Sequence, residues 1–155
     1  MTYQEYRASA QKQFDELPIF WAFSNEQFKK ALEERGVSMD ERGAVCRLPF
    51  NGGFYLKRDA EIIKAYVNRE DPLKKLMGSE QFAEEAFYYE LCNHEYAINY
   101  QGDYDVCSCF GNCEYEEYKA FSHYLKEMGY SDKVVGAYRK AKQRYFKDAE
   151  ENEWF

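Results

Sequence analysis

Ser79-Glu80-Gln81-Phe82-Ala83-Glu84-Glu85-Ala86-Phe87-Tyr88-Tyr89-Glu90-Leu91-Cys92-Asn93-His94 is the most strongly periodic stretch of the chain. Ser79 opens it, and Phe82, Ala83, Ala86, Phe87, Tyr89 and Leu91 fall at helical spacing over nearly half the circumference. That breadth predicts a central, deeply buried helix. Asn93 and His94 lie near its end, where Asn tolerates left-handed geometry and a histidine cation suits the negative pole of the helix.

Upstream, Tyr3, Tyr6, Ala10 and Phe14 recur at spacings of three and four, the pattern of an amphipathic helix closed by Pro18. Ser24 with Gln27 has the form of a capping box and predicts a second helix from about residue 25 to 35, stopped by Gly36. Between residues 44 and 57 two short β-prone runs, 44–48 and 54–56, flank Pro49-Phe50-Asn51-Gly52-Gly53, so a hairpin is predicted there. Asp59 is placed to cap a helix bearing Ile62, Ile63, Tyr66 and Val67; Asp71-Pro72 restarts the chain and Gly78 ends that short turn.

Downstream, residues 96–100 read as a third strand or an extended linker, and Gly102-Asp103 as a turn. A helix is expected over 114–128, ended by Gly129, and Ser131 is expected to cap the last one. Its basic stripe gives way to Asp148, Glu150, Glu151 and Glu153, an acidic end opposed by the helix dipole and expected to fray. These readings add up to one domain, residues 1–155, of α+β class and predominantly helical, with five or six helices and one small β-hairpin.

Composition agrees with a folded core: among 155 residues there are 15 Tyr and 12 Phe, enough ring surface to exclude a disordered chain. Twenty-eight acidic against 21 basic side chains give a formal charge of −7, which repels nucleic acid without approaching the carboxylate density of a DNA mimic. No apolar run is long enough to span a bilayer, and the N-terminus lacks a signal peptide's apolar stretch, so a cytoplasmic protein without a membrane partner is expected. Five cysteines, an odd number, read as reduced thiols rather than a disulfide framework.

Three segments carry a family likeness: residues 20–28 (Phe-Trp-Ala-Phe-Ser-Asn-Glu-Gln-Phe), 52–60 (Gly-Gly-Phe-Tyr-Leu-Lys-Arg-Asp-Ala) and 89–96 (Tyr-Glu-Leu-Cys-Asn-His-Glu-Tyr). Their order resembles a family of small uncharacterised proteins carried by phages and other mobile elements of Gram-positive bacteria. That family joins aromatic-Ala-Phe-Ser-x-x-Gln-Phe, Gly-Gly-Phe-x-x-Lys-x-Asp and Tyr-Glu-Leu-x-Asn-His-Glu-Tyr. The resemblance implies a context, an accessory gene of a mobile element, rather than a chemistry. The chain departs from the pattern after Tyr96, where Cys107, Cys109 and Cys113 replace an acidic or Gly-Leu-containing turn, so relatives lend a metal reading no support.

Several residues are candidates for chemistry. Glu90 lies one helical turn before His94, and with Glu95 it can orient the ring for proton transfer; the structural alternative is a helix-terminal histidine. Cys107, Cys109 and Cys113, with Cys92 or His94, supply zinc-type ligands, but Cys-x-Cys-x-x-x-Cys on a helix sets Cys109 and Cys113 on one face and turns Cys107 away. The Asn51-Gly52-Gly53 turn with Lys57 lacks the Lys-Ser/Thr of a phosphate loop and reads as a hairpin turn. Arg139 to Lys147 form a basic stripe that reads as a solvated face or protein contact, because acid follows it directly.

Tyr88, Tyr96, Tyr100, Tyr104, Tyr115 and Tyr118 crowd one stretch beside Glu114, Glu116 and Glu117. Exposed together, they would form an acidic, aromatic surface for gripping a basic partner; buried, they fill a core poor in aliphatics. The expectation is a non-enzymatic mobile-element or phage accessory protein that binds a host or mobile-element protein, one form being an inhibitor of a host defence system of the anti-CRISPR or anti-restriction kind. Nucleic acid is not expected as a direct partner, nor is a cofactor. The alternative is a small His/Glu-dependent or zinc-dependent enzyme using His94, Glu90 and Glu95.

Overall fold

The computed structural model describes residues 1–49 and 51–154. Among them the chain is α+β and predominantly helical. The helices are α1 (Tyr3–Asp15), α2 (Asn25–Glu34), α3 (Ala60–Val67), α4 (Leu73–Leu76), α5 (Glu80–Asn93), α6 (Gly102–Cys107), α7 (Phe121–Glu127) and α8 (Asp132–Glu151). One antiparallel sheet pairs β1 (Val45–Arg47) with β2 (Phe54–Leu56). Residues 1–8 together with those from 71 onward form one compact unit, and residues 9–70 form a second.

In the second unit, Ser24 Oγ accepts the Gln27 backbone N–H at 3.1 Å while the Gln27 amide oxygen takes the Phe23 N–H at 2.8 Å. The capping box thus starts α2 where the sequence places it. The hairpin pairs Val45 with Leu56 and Arg47 with Phe54, closed by Leu48 N–H to Gly53 O at 2.7 Å. Phe50 of the predicted turn lies outside the described residues. Phe20 bridges to Phe54 through two backbone bonds, and Phe20, Leu32, Val37 and Leu56 are buried among Phe28, Val45 and Phe54. The first two family-like segments therefore meet in one small aromatic core.

In the first unit, α5 packs against α8 as the predicted central helix. Phe82, Ala83, Ala86, Phe87 and Leu91 are all buried, and Ser79 Oγ caps the helix on Phe82 N–H at 3.3 Å. Phe87 makes edge contacts with Tyr138 and Phe110, ring centroids 4.8 and 4.7 Å away.

Several local expectations are corrected. Among the described residues, neither Asp59 nor Ser131 makes a side-chain capping bond to the helix that follows it. The helices number eight among the described residues rather than five or six, because the chain from 96 to 128 breaks into short pieces. Residues 96–98 form a 3-10 turn, not a strand. The helix expected over 114–128 is only α7, since the Tyr124 hydroxyl donates to Glu116 O at 2.8 Å and accepts Glu116 N–H at 3.3 Å, and Tyr118 has a φ of 65° that no right-handed helix admits. Nor does the acidic end fray before Glu151: Tyr88 Oη donates to the Asp148 carboxylate, Ala149 is buried and the Asn152 side-chain amide caps Asp148 O at 2.7 Å.

Candidate functional site

Both candidate sites lie in the first unit. The first is built on the last turn of α5. Glu90 is 2% exposed, an unusual position for a carboxylate, and is fully engaged. Tyr3 Oη donates to its Oε1 at 2.8 Å, Arg7 Nε stands 3.6 Å from the same oxygen, and Asn93 Nδ2 donates to Oε2 at 3.2 Å. Arg7 also donates to the Tyr89 hydroxyl and lies over the Tyr89 ring.

Oε2 faces two further groups. His94 Nε2 is 3.3 Å from it, Cys109 Sγ is 3.4 Å from it, and Sγ and Nε2 are 3.3 Å apart. A proton relay from thiol through imidazole to carboxylate needs the two ring nitrogens to face different partners. Here sulfur and carboxylate both meet Nε2, so the three donors converge on one point instead. Burial and the neighbouring Glu90 push the Cys109 thiol up to about 12. It is therefore held as a thiol rather than an activated nucleophile.

Of the other residues named from sequence for this chemistry, Glu95 does not join. Its backbone takes the left-handed turn after the helix, φ 49°, so the carboxylate is exposed beside a separate groove of about 420 Å³ with Cys92 and Trp154. The left-handed residue at the end of α5 is thus Glu95 rather than Asn93. The cysteines do not share a helix face either: α6 ends at Cys107, a 3-10 turn carries Cys109, and extended backbone follows at Gly111. Cys107 is buried, with its thiol pushed up by burial and Asp103; Cys92 is exposed and Cys113 half-buried. Among the described residues, only Cys109 of the five belongs to a group of three or more metal-type donors.

The second site is a cleft of about 490 Å³ between the 96–104 segment and the loop leading into α7. Tyr96, Tyr100, Tyr104, Tyr115, Glu116, Glu117 and Tyr118 all line it. Of the residues named from sequence for binding, Tyr88 and Glu114 stand elsewhere. The Tyr88 ring lies under the Arg144 guanidinium, 3.8 Å from its centroid, and serves the α5–α8 contact; Glu114 is exposed outside the cleft.

Tyr100 and Tyr118 are almost wholly exposed, at 106% and 95%. Tyr104 instead supports the cleft, edge-on to Tyr115 and Tyr124 with centroids 5.6 and 5.7 Å away. Tyr96 lies against Gly102, Tyr145 and Phe146. Asp103, Glu116 and Glu117 supply negative charge against the single cation Lys119 among the lining residues. His123 pairs with Glu116 and stands 3.5 Å from Glu127, fixing that wall.

Sequence reasoning missed Tyr3, Arg7 and Asp103. Nothing in local spacing points from Tyr3 to Glu90, 87 positions away. The basic stripe is largely occupied within the molecule: Lys140 pairs with Glu80, Lys142 with Asp103, Arg144 with Asp148, and Arg139 lies over Phe121. No helix among the described residues is long and apolar enough to cross a membrane.

Comparison with curated proteins and with solved structures finds no match to this chain. A model described as Family of unknown function (DUF7659) matches residues 2–141, nine-tenths of the sequence, and on that match the chain belongs to the DUF7659 family.

Proposed function

We propose that the protein is a non-enzymatic binding protein whose cleft between residues 96 and 124 receives a basic segment of a partner protein. The observation that carries this reading is the pairing of two almost wholly exposed tyrosine rings, Tyr100 and Tyr118, with the exposed Glu117 carboxylate in one cleft, whose other two carboxylates, Asp103 and Glu116, are engaged by Lys142 and His123. Exposed Tyr rings provide large contact area at low entropy cost and are enriched among residues that dominate binding energy. Carboxylates among them select Lys- or Arg-bearing chains and repel nucleic acid. Tyr118 adds a second support: a bulky residue at φ 65° stores backbone strain of order 1–2 kcal/mol that its solvated ring does not offset by packing.

The resemblance to phage and mobile-element proteins directs the search for the partner to host complexes, with a nucleic-acid-targeting defence assembly as the specific form. The test is peptide display against the folded protein, followed by two variants. Basic, aromatic-compatible sequences should be enriched. Tyr100→Ala should weaken the selected peptide by about 2 kcal/mol, roughly 30-fold. Tyr118→Gly should lose binding while gaining thermal stability, which separates a role in recognition from a role in the fold. Failure to enrich basic sequences, or binding indifferent to both variants, overturns the proposal.

A further inference from the structure

We propose that Glu90, His94 and Cys109 form a three-ligand site for a borderline-soft divalent cation of the zinc type. The inference is independent of the partner-binding cleft and stands on the donor geometry. Tetrahedral zinc holds sulfur at about 2.3 Å and nitrogen or oxygen at about 2.0–2.2 Å, which sets ligand atoms roughly 3.3–3.6 Å apart. The triangle Sγ, Nε2, Oε2 has sides of 3.3, 3.3 and 3.4 Å, one face of such a tetrahedron.

The chemistry of the donors also fits. Thiolate, imidazole and carboxylate together suit zinc or cobalt, whereas calcium and magnesium require oxygen. The thiolate and the carboxylate together match the charge of a divalent ion, and the Arg7 guanidinium, 3.6 Å from Glu90 Oε1, adds one positive charge outside the ligand set. Binding is stoichiometric in protons: the Cys109 S–H bond breaks, its electron pair forms the metal–sulfur bond and one proton passes to solvent; His94 binds through neutral Nε2.

The surroundings are those of an oriented ligand set. The non-ligating oxygen of Glu90 is fixed by Tyr3 Oη and Arg7, leaving Oε2 turned towards the sulfur and the ring. Such outer partners hold metal-binding carboxylates in place in general. The His94 side chain is 31% exposed, so the donor triangle is reached from solvent on the imidazole side, and Cys109 also lines a cleft of about 360 Å³ with Asp71, Lys74 and Tyr130. Three protein ligands with an open fourth position are the arrangement of sites where water or a small molecule completes the coordination. The other donor grouping among the described residues, Glu116, His123 and Glu127, has no sulfur and two exposed carboxylates.

Cobalt(II) is the probe, because thiolate coordination gives a sulfur-to-metal charge-transfer band that carboxylate and imidazole alone do not. The reduced full-length protein titrated with cobalt should develop that band to one equivalent, and zinc should displace it. Cys109→Ser should abolish the band, His94→Gln should weaken binding at least tenfold, and Cys113→Ser should leave both unchanged, each variant being checked for native circular dichroism. Should the site variants fail to fold, the wild-type protein still decides: zinc should protect Cys109 from alkylation while exposed Cys92 reacts at the same rate with and without metal. No band on the folded wild-type protein, a band that survives Cys109→Ser, or alkylation of Cys109 unaffected by zinc would each overturn the assignment.

Discussion

Tyr3 Oη donates a 2.8 Å hydrogen bond to Glu90 Oε1, joining the first turn of α1 to the last turn of α5 across 87 positions of chain. The ring is itself packed edge-on to Phe82 and tilted against Phe110, so removing the hydroxyl leaves the packing in place. A hydrogen bond to a carboxylate contributes about 1.5–3 kcal/mol when the acceptor is buried. Tyr3→Phe should lower the free energy of urea unfolding by that amount with no change in the slope of the transition. A loss under about 0.5 kcal/mol would mean that Arg7 and Asn93 satisfy the carboxylate without it.

Much of this arrangement was legible in the residues, and the boundary of what was legible is physical. Ser79 and Ser24 cap their helices within three positions, Asn51 to Gly53 close a hairpin, and Glu90 reaches His94 by helical spacing; each rests on local geometry alone. Cys109 could not be placed beside them from spacing. Its position depends on α6 ending at Cys107, and that break has no local signal comparable to a proline. The same holds for the 114–120 segment, where apolar periodicity suggests a helix but the Tyr124 hydroxyl takes over both backbone groups of Glu116. The density of tyrosines left a surface and a core reading equally open, and which rings face water depends on tertiary contacts that spacing does not encode.

Glu95 offers a test of the turn that ends α5. It is exposed at φ 49°, ψ 51°, with its N–H reaching Cys92 O at 3.3 Å, the site where helices usually place glycine. A side chain there costs about 1 kcal/mol or more against its Cβ. Glu95→Gly should therefore raise stability by about 0.5–1 kcal/mol after the entropy of the added glycine is counted. Denaturant melts of the two proteins provide the measurement, and a destabilised variant would reveal that the Glu95 carboxylate makes a contribution larger than the strain.

Gly102 opens α6 beneath the Tyr96 ring. A Cβ at that position would fall 2.5 Å from Tyr96 Cδ2 and 2.8 Å from Cε2. The ring cannot simply swing away, since Tyr145 and Phe146 hold it at 5.9 and 5.7 Å between centroids. Gly102→Ala should cost about 1–3 kcal/mol by overpacking, despite alanine's better helix propensity. It should also displace Tyr96 from the cleft wall, so peptide binding is expected to fall alongside thermal stability. Retention of both would show that the ring finds another seat.

The last expectation concerns alkaline pH. Burial, reinforced by Asp103, raises the Tyr138 hydroxyl far above its ordinary value, and burial with Asp71 nearby raises Tyr130 from 10.0 to about 12. Both hydroxyls serve as donors in the native state, Tyr138 to Asp103 at 2.8 Å and Tyr130 to Phe110 O at 2.6 Å, so ionisation removes the bond as well as burying a charge. The unfolded chain loses these protons first, near pH 10, while the native state retains them. Their stabilising contribution is therefore complete below pH 10, declines as pH rises past it, and for Tyr130 is gone above about 12. Phenolate absorbance and far-ultraviolet circular dichroism, followed together from pH 8 upward, should separate: the part of the phenolate signal that belongs to Tyr130 and Tyr138 rises only as helicity is lost. If all 15 tyrosines ionised in one smooth step near pH 10 with helicity unchanged, Tyr130 and Tyr138 would not be held as donors in a closed core.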